Sequence, residues 1–257
     1  MATKDLPVIP MKEWLQRSSL EYFERNASAL MVPKVVHLCS DTLVKVMSRS
    51  FEVVSRDAHY ITIASRLILA DRVSGKIYQE EEVFKAETAI NWQLELVDDY
   101  LDGRIKQAEQ KLIHAGIDPN VVERVTRGYA SKCATPTATD YLELIIKADI
   151  YLAMFQYLWV AGELSNSRDE ALKVKLNNER QVRDELGKVV KMCTKHFHVL
   201  RRICNAVLAD RKLDRDKQSA RDKRKHAEQM AKEQSQKDMD VLAKVASQPA
   251  MAEAEAA

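Results

Sequence analysis

Glycine and proline are scarce, six of each in 257 residues. That scarcity excludes a chain built of many tight turns. Together with abundant Leu, Ala, Lys, Glu and Gln it favours long helices. An excess of one charge sign is also missing. Forty basic residues stand against 38 acidic ones, a net charge of +2, so any nucleic-acid role must rest on a local patch. The four cysteines, Cys39, Cys133, Cys193 and Cys204, form no CxxC pair and suggest no disulfide framework. A reducing cytoplasm is the expected location. No apolar run approaches the length that spans a bilayer, and "MATKDLPVIPMKEWLQ" holds no apolar signal core, so no membrane partner is expected.

Motifs for chemistry are missing too. GxxxxGK[ST], GxGxxG and HExxH do not occur, which removes the usual support for nucleotide-loop and zinc-protease chemistry. "CTKHFH" puts Cys193 and His196 on one side of a helix and His198 elsewhere. No second cluster completes a metal site, and Cys193 reads as core. Asp98 and Asp102 share a helix face that is either a cation site or simply solvated. No enzyme, cofactor or metal is expected.

What is present is apolar patterning. Hydrophobic residues make up 46% of the chain and charged residues 30%, enough for a core. Residues 10–26 suit an amphipathic helix with Met11, Trp14, Leu15 and Phe23 on its apolar side. After Ser40 or Asp41 as a cap, Leu43, Val46, Met47, Phe51 and Val54 repeat at helical spacing. "RDA" interrupts that pattern, and "HYITIASRLILADR" follows as a second helix, although its β-rich start also suits a strand. Residues 78–115 carry the clearest stripe, from Val83 to Leu112, closed by Gly116 and Pro119. Gly103 inside it weakens the helix by about 1 kcal/mol relative to Ala. "PNVVERVTRGYA" reads as a short helix and "SKCATPT" as a loop. "ATDYLELIIKADIYLAMFQYLWVAG" is apolar on nearly every side and is the most buried helix, so Asp149 within it needs a partner such as an Arg or a hydroxyl. A further long helix loses its stripe after Leu213. Residues 214–240 are then either a solvated helix or a disordered arm, with a disordered tail beyond.

One segment departs from the helical pattern. "KVVHL", Lys34 to Leu38, is β-branched, and no second strand is visible nearby to pair with it. A lone strand leaves its backbone groups unsatisfied unless a second chain completes it. Strand, helix, break, helix is the order of a ribbon-helix-helix element, in which two chains pair their strands and lay the ribbon in a major groove. The alternative is an extended linker or a helix start. Alternation puts Lys34, Val36 and Leu38 on one face and Val35 and His37 on the other. With Leu38 buried, Val35 and His37 face the groove, Lys34 swings to phosphate, and His59 and Tyr60 meet phosphate at the start of the second helix. The usual glycine of the interhelix turn is replaced by "SRDA".

A basic arm adds to this. Between Arg211 and Lys225 stand eight basic residues, Arg211, Lys212, Arg215, Lys217, Arg221, Lys223, Arg224 and Lys225, against three acidic ones, a local charge of +5. Such an arm neutralises phosphates without reading sequence. The plainer reading is a solvated helix end that suits the helix dipole.

Two stretches, "AINWQLELVDDYLDGRIKQAEQKL" and "YLELIIKADIYLAMFQYLWVAGELS", together resemble a family encoded on integrating conjugative elements and conjugative plasmids, that of the AcaB-type transcriptional regulators. The resemblance covers residues 50–200. It implies a bacterial mobile-element protein controlling transfer genes, with a ribbon-helix-helix-like DNA-binding part. It also implies that Trp92, Asp98, Tyr141, Asp149, Trp159 and Gly162 are architectural, and it supplies no catalytic residue.

The expected fold is mainly α, a long-helix bundle with one short N-terminal strand. Its segments are residues 1–31 (helix and linker), 32–75 (ribbon-helix-helix-like element), 76–213 (bundle) and 214–257 (arm and tail). The expected function is a homodimeric regulator that binds double-stranded DNA. The alternative is a non-enzymatic helical adaptor of a conjugation or phage-like machine, bound to a protein of the transfer machinery.

Overall fold

The computed structural model describes residues 8–15, 31–70, 78–122, 126–165 and 167–246. The order is α1 (Met11–Trp14), β1 (Val32–Leu38), α2 (Asp41–Ala70), α3 (Tyr78–His114), a 3-10 turn at Pro119–Val121, β2 (Arg127–Cys133), α4 (Pro136–Val160) and α5 (Arg168–Ala246). The fold is mainly α. Two compact units divide the chain, residues 1–204 and residues 205–257.

In the first unit α2, α3, α4 and the early part of α5 enclose one apolar core. Tyr141, Phe51, Met47, Leu101, Ile145 and Leu186 are among its fully buried side chains. Burying one such side chain contributes about 1.5–3 kcal/mol. The helix ends obey local rules. Thr135 caps α4 by accepting from the Ala138 N–H at 3.2 Å, with Pro136 in the first turn. Gly116 and Gly162 take φ of +74° and +80° after α3 and α4. The N–H groups of Ile117 and Glu163 then reach back to the carbonyls of Leu112 and Leu158 at 2.9 and 3.0 Å.

The lone-strand expectation is corrected. β1 pairs antiparallel with β2 of the same chain, Val36 opposite Tyr129 and Lys34 opposite Ser131. The N–H and C=O groups of β1 that face β2 thus find partners without a second molecule. Residues 127–133, expected as helix and loop, alternate as a strand does, with Tyr129, Ser131 and Cys133 buried and Lys132 exposed. Ile9 adds a short parallel bridge to β2, with its N–H donating to the Gly128 carbonyl at 2.7 Å. Trp14 anchors α1 on the same strand, its indole N–H donating to the Ala130 carbonyl at 2.8 Å. The helix expected over 10–26 ends at Trp14, where Leu15 turns extended; residues 16–30 lie outside the described residues.

The strand–helix–break–helix order is also corrected. α2 runs unbroken from Asp41 to Ala70 through "RDA". The interrupting Asp57 is fully buried and held from two sides. The Arg56 guanidinium donates to its Oδ1 at 2.9 and 3.0 Å, and Thr194 Oγ1 of α5 donates to its Oδ2 at 2.8 Å. A buried acid with three donors does not break a helix.

Candidate nucleic-acid interface

The junction of β1 and α2 positions the strand. The first N–H groups of a helix lack intrahelical acceptors and carry partial positive charge. Here Asp149, buried in the middle of α4, supplies the acceptor. The Ser40 N–H donates to its Oδ1 at 2.9 Å, the Cys39 N–H to its Oδ2 at 3.0 Å, and the Cys39 thiol to the same oxygen at 3.1 Å. The partners that Asp149 required thus include the backbone of Cys39 and Ser40 and the Cys39 thiol.

The alternation expected within β1 holds. Val36 and Leu38 are buried, while Val35 and His37 are exposed. Opposite them on the outward face stand Ala130 and Gly128, with Lys132 across from Pro33. The backbone is approached closely here: a Cβ on Gly128 would lie 3.2 Å from Val35 Cγ1 and 3.3 Å from Val8 Cγ2. Among the described strand residues, valine, proline and alanine dominate this face, and His37 and Lys132 are its polar side chains. It carries no Arg, Asn or Gln, so Lys132 is its one side chain of a type that bonds guanine in the major groove. Lys34 lies on the opposite face and pairs with Glu143 of α4 at 3.1 Å.

His59 and Tyr60 sit inside α2, so the helix start expected to face phosphate there is absent. Tyr60 packs edge-on against Phe197 of α5, with ring centres 4.9 Å apart. Burial and the neighbouring Cys204 push its hydroxyl above the usual tyrosine range, against the opposing effect of Arg201.

The basic segment forms part of α5, and every side chain from Lys212 to Lys225 is exposed. A helix polar all round is supported along its surface by pairs at i, i+4. Gln218 donates to Asp222 at 3.1 Å, and Gln229 donates to Glu233 at 3.2 Å. Lys217 approaches Asp214 at only 3.9 Å. Of the structured and disordered alternatives for this arm, the helix is the one observed.

The other polar groups are structural. Lys147 of α4 bridges Asp98 and Asp102, at 2.9 Å to the latter, and fills the face considered for a cation. Burial alone would lower the Lys147 pKa, but those two carboxylates raise it overall. Arg104 donates to Asn178 and Gln181 at 2.7 and 2.8 Å, and the Tyr151 hydroxyl donates to Asn178 at 2.7 Å. Burial pushes that hydroxyl up to about 12. Cys193 is core, its thiol likewise pushed up to about 12, chiefly by burial and then by Asp57. No group of three or more His, Cys, Asp or Glu able to hold a metal occurs among the described residues. Among the same residues no helix is long and apolar enough to cross a membrane. Of the six positions that the resemblance marks as architectural, Tyr141 and Asp149 are buried, whereas Trp92 is 56% exposed.

No family model matches the chain, and no curated protein does. A crystal structure of selenomethionine-containing AcaB from uropathogenic E. coli is similar in fold, with a TM-score of 0.58 and 22% identity over 69% of this chain and 84% of that one.

Proposed function

We propose that the protein is a non-catalytic, cytoplasmic regulator of mobile-element genes, and that it holds double-stranded DNA through the exposed cations from Lys212 to Lys225, with the half-buried Arg211 at the end of the row. The observation that carries this reading is the helical arm itself, eight basic side chains against three acidic ones over about 22 Å of helix. DNA presents a phosphate charge every ~1.7 Å of its axis, so a segment of that length meets enough of them for appreciable affinity. The resemblance to AcaB-type regulators and the fold shared with AcaB support the class. The outward face of β1 and β2 is mostly apolar, with His37 and Lys132 as its polar side chains, so its role in this reading is chiefly contact with thymine methyl groups. With β1 paired inside the chain, a homodimer enters only as a way for two arms to grip one duplex, and sedimentation in the presence of DNA measures it.

Anisotropy of labelled duplex, the gene's own upstream region against random sequence, tests the proposal at two salt concentrations. Binding is expected to weaken steeply with salt. Replacing Lys223, Arg224 and Lys225 by Gln should reduce the log–log salt slope by about 2–3. No binding at low salt, or an unchanged slope in that variant, refutes it; equal affinity for both duplexes refutes sequence-specific regulation.

A second reading, a helical adaptor of a transfer machine, is favoured by one observation, the exposed aromatic stripe on α3.

A further inference from the structure

Along the outer face of α3, Phe84, Thr88, Trp92 and Leu96 follow one another at intervals of four, which aligns them in a single ridge. Three of them are large and apolar, and they are 58%, 56% and 41% exposed for Phe84, Trp92 and Leu96. The opposite side of the same helix, including Val83, Ala86, Ile90 and Val97, is buried in the core. The ridge is thus a second apolar face on a helix whose first is already used. Phe84 and Trp92 stand two turns apart and flank a recess floored by Thr88 and Ala89. A single exposed apolar residue needs no explanation, but a row with two aromatics does.

The surroundings of the ridge are acidic. From Glu81 to Asp102 the helix carries seven acidic residues and one basic residue, Lys85. Lys85 is already held by Glu81 and Glu82 at 2.8 and 3.3 Å. Glu95 borders the ridge and also lines a groove between α3 and α4 with Asp98, Asp140, Glu143 and Lys147; there Asp98 is paired with Lys147 and Glu143 with Lys34. Among the described residues, nothing neutralises Glu95 or Asp99. Burial first and then the neighbouring Glu143 charge raise the Asp140 carboxyl above its usual range, against the opposing charge of Lys34.

We propose that this ridge and groove form a docking surface for a cationic amphipathic helix of a partner protein. An apolar side chain of the partner enters the recess between Phe84 and Trp92. A Lys or Arg one turn along that helix reaches Glu95 and the groove beyond it. Charge decides the class of occupant: an anionic surface, or the same ridge of a second copy, would set like charges against Glu95 and Asp99. The chain's own basic helix from Arg211 to Lys225 has the right charge, but with only Leu213 and Ala220 apolar it has no apolar face to fill the recess. The aromatic ridge provides the desolvated contact that dominates such interfaces.

The full-length protein and a labelled synthetic helical peptide of leucine, alanine and lysine test the proposal. Its controls are the same peptide with glutamate for lysine and a lysine peptide scrambled to break its apolar face. Only the first should bind, with a blue shift of Trp92 emission and weaker affinity at high salt. Phe84→Ala and Trp92→Ala should each weaken it by about thirtyfold. Both sites are exposed, so folding should be retained, as circular dichroism checks, and DNA affinity should be unchanged. Glu95→Gln combined with Asp99→Asn should weaken binding and flatten its salt dependence. Equal binding of the glutamate or scrambled peptide overturns the proposal, as do unchanged affinities in the ridge variants. So does a homodimer that Trp92→Glu dissociates, since that would show a second copy on the ridge.

Discussion

A carboxylate shut away from water must find donors, and Asp149 finds them in the backbone of Cys39 and Ser40. The same contact gives the first turn of α2 the acceptor it lacks and ties β1 to α4. Asp149→Ala takes the buried acceptor from those half-buried N–H groups, so it should cost about 2 kcal/mol in urea unfolding. Asp149→Asn should cost less, because the amide oxygen still accepts one bond. Equal stability of all three proteins would show that the contact carries no weight. Asp57 follows the same rule with Arg56 and Thr194 as donors. Sequence showed that Asp149 needed a partner and could not show which. The donors lie 110 and 109 residues away, and no local pattern encodes such a pairing.

At the scale of elements, the stripes of α3 and α4 were legible because each buries one face or nearly all of its surface. The Tyr78–His114 and Pro136–Val160 spans follow that patterning closely. β1 was legible as a strand, and so was its buried side. β2 was not: "RGYASKC" carries Gly, Ala, Ser and Lys, all weak strand formers, and its Tyr–Ser–Cys alternation gains meaning only once β1 lies beside it. The break at "RDA" misled for the converse reason, since a polar residue on an apolar face stops a helix only when nothing folds over it. Intrachain pairing carries a consequence. Val36→Pro removes a backbone donor and a buried side chain opposite Tyr129. It should lower the thermal midpoint by the same amount at low and high protein concentration. A midpoint loss that shrinks as protein concentration rises would restore the strand to an interface between molecules.

At the scale of the whole molecule, the two units differ in what holds them. Residues 1–204 enclose a core, whereas the side chains of Lys212 to Lys237 are exposed. Among the described residues beyond Leu213 every side chain is exposed, so removing residues 214–257 should leave the main unfolding transition within about 2 °C of the full chain's. DNA affinity should fall below that of the variant with Gln at 223–225, because the truncation also removes Arg215, Lys217 and Arg221. A large drop in the midpoint would show that the distal residues stabilise the core.

By itself, sequence determined the helical class, the long stripes and the net charge of the arm, because periodicity, breakers and formal charge are local properties of a chain. Only the tertiary structure decided what pairs with β1, which groups donate to Asp149 and Asp57, and that Trp92 faces outward. Each of these depends on which distant segment arrives alongside, and long-range pairing leaves no local mark on either partner.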